Sequence, residues 1–123
     1  MSSALEAIHE YYKVFSTLDV NAIVSYFCEP CMTLASQGVS SAANRAALAD
    51  SLAPVLGGLK AKGYGRSEFV QPHVTMLGEM AALVQGVAVR YTAEGPEMER
   101  IPISYLMRRS EAGWKIAVLV VGS

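Results

Sequence analysis

The hydrophobic period changes at Arg66, and no other feature limits the possible folds so tightly. Upstream, apolar side chains recur three and four residues apart, which marks one face of a helix. Downstream they alternate, which marks one face of a sheet. Ser3 and Glu6 form a capping box, in which each side chain satisfies the other's free amide. Leu5, Ile8, Tyr12 and Phe15 follow at helical spacing, so a first helix is expected to about Ser16. Asp19 is placed to cap a second helix carrying Val20, Ile23, Val24 and Phe27 on one stripe, with Pro30 ending it. Met32–Ser36 reads as a short strand. Ser40 or Ser41 opens a third helix whose buried stripe is Leu48, Leu52, Val55, Leu56 and Leu59, kinked at Pro54 and closed by Gly63.

Four strands follow, at 66–77, 80–92, 98–109 and 113–121, with Gly78-Glu79 as a tight hairpin turn. Directly paired residues share a face, so turn positions assign the sides. With Leu77 opposite Met80, Val70, Val74, Met76, Leu83, Gln85, Val87, Val89 and Tyr91 lie together. With Met107 opposite Ile116, Ile101, Ile103, Tyr105, Met107, Trp114, Ile116, Val118 and Val120 lie together. Both groups are bulky and apolar, and both are expected to face the helices. Gln71, His73, Thr75, Ala82, Val84, Ala88, Arg90, Ser104, Leu106, Ala117 and Leu119 are left for the outer face, which is too apolar for open water. A second copy of the chain is expected there, giving a homodimer.

A chain of 123 residues forms one domain, residues 1–123. Its 52% hydrophobic content and mean hydropathy of +0.29 are high for that size. A lined cavity or a subunit interface absorbs such an excess. The net charge of −1 provides no basic footprint, so no nucleic-acid partner is expected. The longest apolar runs fall far short of the ~20 residues of a membrane span. No basic stretch or apolar signal core opens the chain, so a cytoplasmic location is expected.

The order helix–helix–strand–helix followed by four antiparallel strands resembles the nuclear transport factor 2-like superfamily, home of the SnoaL-like polyketide cyclases and ketosteroid isomerases. Leu18-Asp19-Val20-Asn21-Ala22-Ile23-Val24-Ser25-Tyr26-Phe27, Met76-Leu77-Gly78-Glu79-Met80-Ala81 and Ala112-Gly113-Trp114-Lys115-Ile116 carry the likeness, which spans Leu5 to Val121. It implies an α+β, cystatin-like cone, three N-terminal helices packed on a curved antiparallel sheet in the order α-α-β-α-β-β-β-β. It also implies a pocket between helices and sheet, and in many members a dimer through the open sheet face. The superfamily fixes no single function, because its sites vary on one scaffold.

The resemblance can be tested residue by residue. The isomerases' first-helix tyrosine falls on Tyr11, but their general-base aspartate falls on Ala35, which cannot take a proton. No Asp stands near Ile101–Ile103, where their later acidic donor belongs. The paired aspartates of the epoxide hydrolases find only Asp19, a cap, and Asp50, on the outer run of the third helix. Dehydratase-like chemistry needs pocket histidines. His9 belongs to the surface, and His73 to the outer face beside Arg90 unless a bulge near Pro72 turns it inward. His73 and Tyr11 are thus the catalytic candidates.

Tyr12, Tyr26, Phe27, Met32, Met76, Gln85, Tyr91, Tyr105, Met107 and Trp114 are the expected pocket residues, with Gln85, Tyr91 and Tyr105 as polar anchors. Each also suits plain core. Cys28-Glu29-Pro30-Cys31 has redox spacing, but a thiol closing a helix opposes its dipole, and a lone pair of cysteines makes no zinc site. Arg66, Arg108 and Arg109 read as solvated strand ends. No metal and no cofactor are expected. The sequence therefore points to a binder of a small hydrophobic or aromatic molecule, with cofactor-free isomerase, cyclase or lyase chemistry as its catalytic form. The competing reading is a non-catalytic scaffold whose hollow is filled with side chains.

Overall fold

Ser3 and Glu6 start the first helix as a reciprocal cap: the Glu6 amide donates to Ser3 Oγ and the Ser3 amide to Glu6 Oε1, both at 3.1 Å. The computed structural model describes residues 3–122. Helix α1 (Ala4–Phe15) buries Ala4, Ala7, Ile8, Tyr11, Tyr12 and Phe15, an apolar stripe with aromatic rings at its C-terminal end. Asp19 caps α2 (Val20–Val24) through the Ala22 amide, as its sequence position predicts. That helix is shorter than its stripe suggests. Phe27 already begins a strand, β1 (Phe27–Ala35), which takes in Cys28 and Pro30. Proline cannot donate to a ladder, and Pro30 lies where β1 has no paired neighbour.

Strand β2 (Gly38–Ala42) has no counterpart in the periodicity reading, because a run of small and polar residues carries no alternation. It folds back on β1 and takes Ser40 and Ser41 with it. The cap of α3 (Arg45–Ala61) therefore falls to Asn44, whose Oδ1 accepts from the Ala47 amide at 2.9 Å. Pro54 lies inside α3 without ending it. Leu48, Leu56 and Leu59 are buried, whereas Val55 is 48% exposed.

Strands β3 (Tyr64–Met76), β4 (Ala81–Thr92), β5 (Glu97–Ser110) and β6 (Gly113–Val121) follow as an antiparallel meander. The sheet has six strands in the order β2-β1-β6-β5-β4-β3, and only the β1–β6 pair is parallel. Helices followed by this curved sheet make an α+β architecture.

Three irregularities decide which side chains face the helices. The β3–β4 turn is one residue longer than a two-residue hairpin: the Leu77 amide donates to the Ala81 carbonyl, and Met76 stands opposite Ala82. A bulge between Val70 and His73, with Gln71 at φ +54°, absorbs that extra residue. The expected pair Val70–Val87 therefore forms, but the expected pair Val74–Leu83 does not, since Val74 meets Val84. A second bulge lies at Ala117, so Tyr105 meets Leu119 rather than Val118.

The face assignment of β4, and of β3 before its bulge, is accordingly reversed, while Val74 and Met76 beyond the bulge keep the inner side. Phe69, Ala82, Val84 and Ala88 are buried in the core, while Val70, Leu83, Gln85, Val87 and Tyr91 point to the outer side. Val89 is buried but lies outside the core cluster. The cause is room. A Cβ on Gly86 would sit 2.5 Å from the Phe69 ring, so the small residues of β4 make space for large rings. Strand β5 keeps its assigned side, with Tyr105 and Met107 inside. Trp114 and Ile116 also keep theirs, but beyond the bulge Leu119 and Val121 turn inward and Val118 and Val120 outward.

Candidate functional site

Aromatic rings from α1 meet rings from the sheet and leave a hollow between them. Tyr11 stands edge-on to Phe27 at 5.7 Å and to Tyr105 at 6.0 Å, and Tyr12 lies 5.3 Å from Phe69. Rigid planar side chains tile a curved surface incompletely, and here the remaining space is a cavity of about 250 Å³. Tyr11, Tyr12 and Phe15 of α1, Phe27 and Thr33 of β1, and Leu48, Leu52 and Val55 of α3 form one side. Ser67, Ala88, Arg90, Ile101, Ile103, Tyr105, Leu119 and Val121 form the other. Half-exposed Val55 marks the mouth.

The polar groups on this wall are few and differ in availability. The Tyr12 and Tyr105 hydroxyls bond each other at 2.7 Å across the buried interface of α1 and β5. Tyr11 is only 5% exposed, and its hydroxyl has no protein partner among the described residues. It is not one of the sealed polar atoms either, so it opens onto the cavity. Arg90 binds Glu99 Oε1 at 2.5 Å and holds its guanidinium 5.8 Å from the Phe15 ring. The Ser67 amide donates to Ser16 Oγ at 3.1 Å, and Ser67 Oγ pairs with the Tyr64 hydroxyl at 2.6 Å, tying the start of β3 to the end of α1.

Burial raises the pKa of each of the three inner tyrosines. Desolvation pushes Tyr12 up to about 12, against a smaller lowering by its bond to Tyr105 and by Arg90. Tyr11 and Tyr105 are pushed further in the same direction by the same cause. At neutral pH all three are protonated hydrogen-bond donors, able to polarise a carbonyl and unable to act as bases.

Of the residues singled out from sequence, Tyr11, Tyr12, Phe27 and Tyr105 border the cavity. Met107 and Trp114 are buried in the core but do not line it. Tyr26 is half-buried, packing on Tyr11 at 6.0 Å and lying under Lys115. Gln85, Tyr91 and Met32 are corrected to the outer side. Gln85 pairs with His73 there, Tyr91 lies 4.2 Å beneath the Arg66 guanidinium, and Met32 stands beside Val118. Met76 shares the inner side with Ala82 but lies past the helices near the hairpin tip, 52% exposed.

His73 is exposed on the outer face, and the bulge that could have turned it inward instead turns it out, because Phe69 rather than Val70 starts from the inner side. Arg90, expected beside it, lines the cavity. Phe15, Thr33, Ser67, Ala88 and Arg90 were not legible as lining residues. For Ala88 and Arg90 the signal lay in the size alternation of β4, where the small residues mark the crowded side.

Ala35 follows Thr33 on the same side of β1 by strand alternation, so the general-base position of the isomerases does face inward, without a carboxylate. Cys28 and Cys31 both lie in β1 rather than at a helix end, and burial raises both thiols. Neither has the lowered pKa that makes a cysteine nucleophilic. No cluster of three or more His, Cys, Asp or Glu side chains able to hold a metal gathers among the described residues. No helix among them is long and apolar enough to cross a membrane.

An aromatic hollow between α1, α3 and a six-stranded curved sheet defines a cone-shaped α+β protein with an internal pocket site. Over residues 2–123 the chain matches the family NTF2-like protein (DUF6841), and it belongs to that family. An NTF2-like protein with a cystatin-like fold from Novosphingobium aromaticivorans is similar at 21% identity and TM-score 0.76, covering 95% of this chain and 77% of that one. A protein of unknown function with a cystatin-like fold from Nostoc punctiforme is similar at 11% identity and TM-score 0.76, covering 96% and 86%. A candidate dehydratase from the NTF2-like family, from Streptomyces avermitilis, is similar at 18% identity and TM-score 0.71, covering 94% and 89%. These likenesses establish the cystatin-like fold. No curated protein matches the chain.

Proposed function

We propose that the protein binds a small aromatic or apolar molecule in the cavity between α1, α3 and the sheet. The observation that carries this reading is the free Tyr11 hydroxyl on the wall of an otherwise apolar hollow. Packing alone has no use for an unpartnered donor, whereas pockets combine apolar walls with few polar anchors. Size agrees. A cavity of about 150 Å³ accommodates benzene. The 250 Å³ here suits one ring with a substituent, or a compact bicycle. The acceptor of such a ligand, a carbonyl or ether oxygen, would take the Tyr11 proton, and its ring would stack among Phe15, Phe27 and Leu48.

The wall carries no carboxylate and no imidazole among the described residues, so the reading stops at binding and polarisation by neutral hydroxyls. The kinship with a candidate dehydratase supports small-molecule handling in general and no particular reaction. Calorimetric titration with substituted benzaldehydes and phenols tests the proposal on wild type, Y11F and A88F. Binding is expected in wild type, weaker by about tenfold in Y11F, one lost hydrogen bond to a buried donor. Blocking the hollow with A88F is expected to abolish it. Equal binding by A88F would show that the cavity is not the site.

We also propose that the outer face joins two copies of the chain. Thr75, Leu83, Leu106 and Val118 stand directly opposite one another in four successive strands, and Met32 extends the row into β1. Such a band on an uncovered sheet face is what a second copy would bury.

A further inference from the structure

A second hollow opens where β1 parts from β6, two interior strands of the sheet. The ladder between them is interrupted from Phe27 to Met32, and the gap leaves a space of about 460 Å³ lined by Cys28, Glu29, Arg45, Arg108, Ser110 and Lys115 among others. Three cationic side chains meet one carboxylate there. That carboxylate is already engaged: Glu29 Oε2 accepts from the Arg45 amide at 2.8 Å, at the first turn of α3, and Oε1 from Arg45 Nη1 at 3.3 Å. Arg45 is held in place by Nε and Nη2 donating to the Phe27 carbonyl at 3.1 and 2.8 Å. Lys115 is anchored by a 2.9 Å bond from Nζ to the Ser25 carbonyl. Arg108 has no ion pair among the described residues.

Arg108 and Lys115 are also direct cross-strand partners in β5 and β6. Like charges in that position destabilise a sheet. An anion between them reverses the sign. Net of Glu29, the hollow carries a formal charge of two positive units, from three cations and one carboxylate. A phosphate monoester carries roughly −1.5 to −2 at neutral pH and presents three acceptor oxygens, whereas a carboxylate carries one charge. Guanidinium groups match phosphate geometry, and a lysine adds a point charge. The Ser110 hydroxyl at the rim is already engaged, donating to the Gly113 carbonyl at 3.5 Å and accepting from the Ala112 amide at 3.2 Å.

We propose that the hollow between β1 and β6 binds a phosphate group, free or as the monoester of a small molecule, through Arg45, Arg108 and Lys115. This site is separate from the aromatic cavity and stands or falls without it.

The test is titration of the isotope-labelled protein with inorganic phosphate, phenyl phosphate and benzoate at constant ionic strength, read by amide shifts. Saturable shifts confined to Cys28, Ser110, Ala112 and Lys115 are expected for both phosphates, and a tighter constant for phenyl phosphate would assign the monoester over the free ion. R108Q/K115Q is expected to weaken binding by roughly tenfold or more, the loss of one or two charge-assisted bonds. Arg66→Gln, on the far edge strand, is expected to match wild type. Unchanged affinity in the double variant overturns the proposal, as does benzoate binding as tightly as phenyl phosphate. A readout on the unmodified chain guards against a folding defect. Phosphate is expected to slow alkylation of Cys28 by iodoacetamide several-fold, and an unaltered rate counts against the site.

Discussion

Tyr12 and Tyr105 satisfy each other's hydroxyls at 2.7 Å inside a shell of rings, and neither hydroxyl has another partner among the described residues. Removing one oxygen strands the other in an apolar surrounding. Tyr105→Phe is expected to destabilise the fold by about 1–3 kcal/mol. Y12F/Y105F is expected to cost less than the sum of the single changes, because both partners are then gone. Denaturant midpoints of the four proteins measure this directly. The same pair sets an alkaline limit. Tyr12 has its folded pKa raised from 10.0 to about 12, so the unfolded chain loses that proton first. Stability is therefore full below pH 10 and falls as pH rises through the folded value, by about 1.4 kcal/mol per pH unit for each tyrosine so placed. Urea unfolding at pH 8, 10 and 11 checks the slope.

At the level of elements, β4 matters most, because its small residues admit the rings. Gly86 touches the Phe69 ring so closely that an added methyl needs both that ring and the Val70 carbonyl to move. G86A is expected to destabilise by about 1–3 kcal/mol through overpacking. Helix α1 supplies the rings and depends on its cap. Ser3→Ala removes one partner of the capping box and is expected to lower stability by about 1 kcal/mol. Circular dichroism during thermal melting reads both changes. The cap was plain in the sequence because it is a local pattern of residues three apart. The inner side of β4 was not. Bulky alternating residues suggest a core face, but bulk shows only that a residue avoids water. Which of two apolar faces meets the helices depends on the size of what the helices bring. Ala82, Ala88 and Gly86 face inward because Tyr12, Phe69 and Tyr105 already occupy the volume.

For the molecule as a whole, the reversal leaves the larger aliphatic residues outside. Val70, Leu83, Val87, Leu106 and Val118 lie half-buried on a sheet face that no helix covers. If two copies join there, a charge in the middle of the band must separate them. Leu106→Glu is expected to convert a dimer into single 13.2 kDa chains at micromolar concentration, as read by light scattering after gel filtration. The aromatic cavity lies on the opposite side of the sheet, so ligand binding in that variant is expected to persist. Wild type eluting as one chain at every concentration would refute the pairing.

Amino-acid order by itself determined the caps of α1 and α2, the change of period at Arg66, the α+β class and the inward positions of Tyr12, Phe27 and Tyr105. These rest on spacing within a few residues, which backbone geometry reads without knowing the rest of the chain. Tertiary structure alone decided the strand β2, the two bulges, and therefore the side to which Gln85, Tyr91 and Arg90 point. A single extra residue in a turn or strand reverses every side chain beyond it, and whether it is inserted depends on long-range packing of rings against small residues. The candidate site, built where such reversals meet, was accordingly the least legible part of the sequence.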